Sequence, residues 1–118
     1  MNSKELKKRT KEFAHRCVKA ATALPDSKLG RHIAGQLIRS ATSVAANYRA
    51  VCLAHSKAAF TSKLSIVIEE ADESLFWLEL LQDSGIIKEE LLKDLCDENE
   101  EIIKIMVVAR KNSERTNN

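Results

Sequence analysis

The scarcity of helix-breaking residues is the feature of this sequence that most limits its fold. Only three glycines and one proline occur among the 118 residues, at Gly30, Gly35, Gly85 and Pro25. Because glycine and proline mark turns and interrupt helices, a turn-rich sheet would need many more of them. With 44% hydrophobic and 31% charged residues, the composition favours long, uninterrupted amphipathic helices.

Apolar residues recur at helical spacing in four stretches of the chain. The predicted helices cover about residues 3–24, 28–53, 56–84 and 88–111, and the polar tail at 112–118 is predicted to fray. Short turns between helices favour neighbours that run antiparallel. We therefore predict an all-α fold in which residues 1–118 form one domain, an antiparallel up-down-up-down four-helix bundle.

The sequence also predicts which residues face the core of this bundle and where its third helix begins and ends. Leu29 of helix two and Leu91 of helix four are predicted to face the core, as parts of apolar stripes. Ser40 lies at the edge of the stripe on helix two and would need an internal hydrogen bond if it were buried. Helix three is predicted to start near Ser56 and to end at Gly85, a residue type common at helix C-termini.

The sequence carries no catalytic signature. The three histidines lie far apart, at His15, His32 and His55. No nucleophile motif adjoins them, and the isolated glycines form no phosphate-binding loop. The alternative is a metal-dependent helical-bundle enzyme, whose sites use Glu-x-x-His pairs. The one such pair, Glu12 and His15, is predicted to point away from the core, as are Glu69 and Glu73, so we expect no metal, no cofactor and no catalysis.

Cysteine content and hydropathy bear on the compartment. The cysteines are odd in number and far apart, at Cys17, Cys52 and Cys96. This pattern predicts reduced, buried thiols. The N-terminus lacks the apolar run of a secretory signal, and the apolar stretch at 102–109 is too short to span a bilayer. A cytoplasmic protein without membrane contact is therefore expected.

Charge is distributed unevenly along the chain. Residues 1–57 carry twelve Lys and Arg against three Asp and Glu, whereas residues 58–118 carry seven against fourteen. Clustered cations are typical of proteins that bind phosphates. The candidate nucleic-acid-binding residues are Lys4, Lys7, Lys8, Arg9, Lys11, Arg31 and Arg39. Since aromatic residues are few, any such binding is expected to involve the nucleic-acid backbone and to tolerate sequence. The alternative is a solvated basic face.

Two helix faces are predicted to pack between copies of the chain. The back of helix two combines small residues with arginines, and the back of helix three combines apolar and acidic residues. The predicted interface residues are Gly35, Arg39, Ala46, Arg49, Ile66, Glu69, Glu73, Phe76, Trp77 and Leu80. Two different complementary surfaces make a heterologous contact, which closes into a ring when the rotation allows. The alternative is that these charges attract neighbouring helices within one monomer.

Three segments resemble the signature of the 23S rRNA intervening-sequence protein family. They are QLIRSATSVAANYR at residues 36–49, SKAAF at 56–60 and EEADESLFWLELL at 69–81. The resemblance implies a bacterial four-helix bundle that assembles as a homopentamer. A more distant similarity is to the accessory protein of diversity-generating retroelements, which binds a reverse transcriptase and nucleic acid. Ala50 stands where an acidic residue is common in the family.

These observations together predict a non-enzymatic, self-assembling helical-bundle scaffold or adaptor. Its basic N-terminal half is the predicted contact for the RNA or DNA backbone. A protein-only adaptor that binds no nucleic acid is the alternative within the binding class. A metal-dependent bundle enzyme is the alternative outside it.

Overall fold

The chain folds into four helices arranged in a bundle. The computed structural model describes residues 1–115, and it contains no strand in that range. The helices are α1 (Ser3–Thr22), α2 (Lys28–Cys52), α3 (Lys57–Ser84) and α4 (Glu89–Arg115). Each packs along its predecessor, and α4 returns to α1, in a body of about 50 × 21 × 20 Å. The predicted all-α, up-down-up-down four-helix bundle is thereby confirmed.

Local hydrogen bonds explain where the helices begin and end. The hydroxyl of Ser27 accepts from the Gly30 N–H at 3.0 Å, and that of Ser56 accepts from the Ala59 N–H at 3.1 Å. Such caps satisfy backbone donors that the first helical turn leaves unpaired. Gly85 ends α3 with φ of 72°, a left-handed conformation that favours glycine. Helix three therefore has the ends that its sequence predicts.

The C-terminal helix is longer than its sequence suggests. It continues to Arg115, so residues 112–115 of the predicted frayed tail are helical, and residues 116–118 lie outside the described residues. Contacts with α3 explain the extension. The hydroxyls of Ser113 and Thr61 lie 3.0 Å apart, and Arg110 donates to the hydroxyl of Ser65 at 3.2 Å.

The core is apolar and continuous through the bundle. Its largest fully buried side chains include Phe13, Leu37 and Ile102. Two predicted core residues do not belong to it, since Leu29 is 47% exposed and Leu91 is 72% exposed. In α4 the inward position is taken by the neighbouring Leu92, whereas in α2 the buried neighbour is Gly30, where an added side chain would meet the Pro25 carbonyl oxygen. A helical period alone leaves the choice between such adjacent residues open.

The fully buried polar side chains are Thr10, Ser40, Ser74 and Asn99. The Thr10 hydroxyl donates within α1, to the Leu6 carbonyl at 2.8 Å, whereas the other three join neighbouring helices. The Ser74 hydroxyl donates to the Ser40 hydroxyl at 2.9 Å, which joins α3 to α2. In the amide orientation that satisfies its neighbours, Asn99 donates to the Ala71 carbonyl at 2.9 Å and so joins α4 to α3. Since buried polar groups are costly unless they are hydrogen-bonded, these pairs fix the register between helices.

Candidate nucleic-acid interface and assembly surface

A basic groove runs between α1 and α2. Its volume is about 780 Å³, and its lining residues are Lys7, Lys8, Lys11, Ala14, His15, Val18, Thr42, Ala45, Ala46 and Arg49. Residues four apart share one face of a helix, which is why Lys7, Lys11 and His15 reach the same groove. Its floor consists of small side chains, so a ligand can approach the helix backbones closely. We call this feature the basic groove.

The cations of the basic groove are free of carboxylate partners. Within residues 1–115, no ion pair involves Lys7, Lys8, Lys11 or Arg49. All four residues are exposed. Four like charges around one groove produce a local positive potential that attracts anions. The sequence marks three of them as phosphate-binding candidates but assigns Arg49 to the subunit interface. In the sequence, the groove could have been predicted from the four-residue spacing of Lys7, Lys11 and His15, which places these side chains on one face of α1.

Two other predicted phosphate-binding arginines are already paired. Arg9 donates from Nε and from one terminal nitrogen to the two carboxylate oxygens of Glu98 on α4, each at 2.7 Å. This hydrogen bonding raises the pKa of the Arg9 guanidinium. Arg31 pairs with Asp26 at 2.6 Å in an exposed position. Lys4 is exposed on α1, one turn before Lys8, and lies outside the groove lining. Of the seven predicted residues, the groove therefore unites three.

The seam between α2 and α3 holds the remaining predicted cation. Arg39 pairs with Glu70 at 3.1 Å and also with Glu73. The indole N–H of Trp77 donates to the same Glu73 carboxylate at 3.2 Å, and the His32 ring packs edge-on against that indole at 5.6 Å between ring centroids. Arg39 and Glu73, which were both predicted to lie at the interface between copies, therefore pair between two helices of one chain. For these two residues, the opposite charges thus attract neighbouring helices within one monomer, which was the alternative to a contact between copies.

The outer surface of α3 is unusually apolar. Ile66 is 40% exposed and Phe76 is 54% exposed, and the Phe76 ring meets Trp77 edge-on at 5.0 Å. Leu80 is half-buried beside them, and Glu69 is exposed. We name this set of five residues the α3 outer surface. An apolar surface of this kind commonly marks a protein contact.

The small residues predicted to face it lie on α2. Gly35 is exposed, and a side chain added there would meet nothing within 4 Å. Ala46 is also exposed but lines the basic groove together with Arg49. The structure thus divides the predicted interface set. Gly35 and Arg39 lie away from the basic groove, whereas Ala46 and Arg49 lie in it.

No metal centre forms from the described residues. Within 1–115, no three His, Cys, Asp or Glu side chains come together. Glu12 and His15 are both exposed on α1. Burial raises the pKa of the Cys17 thiol to about 12 and that of Cys96 to about 11, so both thiols are protonated and poor nucleophiles near neutral pH.

Comparisons with known proteins agree with the fold. A helix that could cross a bilayer is absent from residues 1–115. No curated protein matches the chain significantly. A crystal structure from Bacteroides thetaiotaomicron, described as a protein with unknown function from the S23 ribosomal protein family, is 34% identical with a TM-score of 0.83. The match covers 89% of this chain and 97% of that one. The sequence profile of the 23S rRNA-intervening sequence proteins matches residues 3–108, and the chain belongs to this family.

Proposed function

We propose that this protein is a non-enzymatic, self-assembling scaffold or adaptor that binds the RNA or DNA backbone in its basic groove. The observation that carries the proposal is the set of four unpaired cations around the groove: Lys7, Lys8, Lys11 and Arg49. Phosphate contacts made by such cations supply most of the affinity in sequence-independent binding.

The chemistry of the groove favours phosphates over bases. Ala14, Ala45 and Ala46 give it a small, smooth floor, and no Phe, Tyr or Trp lines it. His15 supplies the one aromatic ring in the lining, so bases find little stacking surface there, whereas phosphates find several lysine ammonium groups. Binding of this kind positions a duplex without reading its sequence.

Charge reversal in the basic groove tests the proposal. We expect Lys7, Lys8 and Lys11 changed together to Glu to abolish binding of labelled DNA and RNA duplexes at low salt, measured by fluorescence anisotropy. The matched control changes Lys63, Lys104 and Lys111 to Glu, which alters the net charge equally on the acidic half of the chain. Circular dichroism melts check that both variants fold. Equal losses in both variants, or a sharp preference for one sequence, would contradict the proposal.

The protein-only adaptor and the metal-dependent enzyme each predict a different experimental result. If the unmodified protein binds no duplex even at low salt, the protein-only adaptor is the better description. If untagged protein contains stoichiometric iron, manganese or zinc and unfolds on chelation, the metal-dependent enzyme replaces the scaffold.

Self-assembly is supported by a separate observation, the exposed apolar residues of the α3 outer surface. We place this surface against the small-residue back of α2 near Gly35 in a neighbouring copy, in a closed ring. The family resemblance sets the expected number of copies at five. Because Arg39 is paired within its own chain, the contact is assigned to apolar packing and not to an Arg39–Glu73 pair between copies.

Light scattering coupled to size exclusion tests the ring. We expect a multiple of the 13.2 kDa chain mass at micromolar concentration. Phe76→Asp should dissociate the assembly because it places a charge in the apolar contact. Leu53→Asp is the matched control, since Leu53 is 75% exposed at the C-terminal cap of α2 and is not one of the residues of the α3 outer surface. A monomeric mass for the unmodified protein would refute the ring.

A further inference from the structure

We infer that the cleft between α1 and α4 docks an acidic amphipathic helix of a partner protein. The cleft lies where α1 ends and α4 begins, and its volume is about 850 Å³. Its lining includes the apolar residues Ile86, Ile87 and Leu91 and the cations Arg16, Lys19 and Lys88. It shares no lining residue with the basic groove, and none of its residues belongs to the α3 outer surface.

The floor of the cleft is apolar and partly open to solvent. Leu91 is 72% exposed, although it lies one helical turn before the buried Leu95. Ile86 and Ile87, in the segment that joins α3 to α4, are half-buried beside it. An exposed leucine that continues an apolar lining forms an apolar patch of the kind that marks a protein contact.

The rim of the cleft is mainly cationic. Arg16 and Lys19 stand on the α1 side and Lys88 precedes α4, and none of the three forms an ion pair within residues 1–115. Glu90 is the one acidic residue in the lining. An acidic partner would therefore meet three free cations around an apolar floor. Because the free charges at the rim are positive, charge complementarity favours a partner whose contacting surface is negatively charged.

The shape of the cleft favours a helix as the occupant. Its walls are two helices, and residues 1–115 offer no strand edge to which an extended peptide could add. A helix laid in such a groove presents apolar residues at i, i+3, i+4 and i+7 to the floor and keeps its other residues at the rim. Glutamates at those rim positions would lie near Arg16, Lys19 and Lys88.

Two labelled peptides test the inference directly. The probe is a helical peptide of about 18 residues with leucines at i, i+3, i+4 and i+7 and glutamates on the flanks, and its partner probe has lysine in place of each glutamate. We expect the glutamate peptide to bind at least about tenfold more tightly than the lysine peptide in anisotropy titrations. Equal affinities, or no binding of either peptide, would overturn the inference.

Variants locate the binding. Leu91→Glu should weaken the glutamate peptide at least about tenfold. Val108→Glu should not, since Val108 is 55% exposed on the same helix but outside the cleft. Arg16→Glu with Lys19→Glu should reverse the preference between the two peptides. Equal effects of Leu91→Glu and Val108→Glu would overturn the inference. A difference in mass between the Leu91→Glu variant and the unmodified protein in light scattering would also overturn the inference, because it would show that a second copy of the chain occupies the cleft.

Discussion

Neutralising the lysines of the basic groove should change the salt dependence of nucleic-acid binding by a calculable amount. Four unpaired cations line the groove, so the slope of log affinity against log salt should be about −3.6 for duplex DNA. Affinity should then fall about 150-fold between about 50 and 200 mM salt. With Lys7, Lys8 and Lys11 changed to Gln, only Arg49 is left. The slope should become about −0.9, and the same change in salt should cost about 3.5-fold.

Anisotropy titrations of a labelled duplex over this salt range measure both slopes. The matched control replaces Lys63, Lys104 and Lys111 by Gln, which gives the same net charge but leaves the basic groove intact. This control should keep the slope near −3.6 because counterion release counts phosphates contacted and not total charge. If both triple variants show the same slope, the four groove cations are not the phosphate contacts and the reasoning is refuted.

Two further predictions concern the bundle itself. Arg9→Met should lower the free energy of unfolding by about 1–2 kcal/mol in urea titrations, because it removes a half-buried bidentate partner of Glu98; an unchanged midpoint would show that solvent already screens the pair. In the native protein at pH 8, the half-buried Cys52 should react with a thiol reagent while Cys17 and Cys96 stay protected. Burial raises their pKa values to about 12 and about 11. Rapid reaction of all three thiols at pH 8 would contradict this protection. Because folding raises the pKa values of Cys17 and Cys96, the free energy of unfolding should also decrease as the pH rises above the ordinary thiol pKa.

The fold was largely predictable because its signals are local. Ser56 begins α3 and Gly85 ends it through hydrogen bonds and a backbone angle that involve only near neighbours in the sequence. The same holds for the clustering of Lys7, Lys8 and Lys11 on one side of α1, which follows from helical periodicity. Local rules of this kind also place Cys17 inward.

The boundaries of the core were less predictable. Leu91 and Leu92 both fit the helical period of α4, yet only Leu92 is buried. The difference depends on how α4 is rotated against α1 and α3, which no local pattern specifies. The last turns of α4 likewise depend on contacts with α3, at Thr61 and Ser65, and not on the polar sequence of the turns themselves.

The basic character of α1 and α2 follows directly from the composition of residues 1–57, whereas the packing of the helices settles which of their cations are free. Arg9 is paired with Glu98, 89 residues away, and Arg39 is paired with Glu70 and Glu73 across the α2–α3 seam. Such pairs form only where the register of packed helices brings opposite charges within a few ångströms. Helical periodicity places a side chain on a face of its own helix, but the identity of the neighbour across that face is a property of the folded bundle.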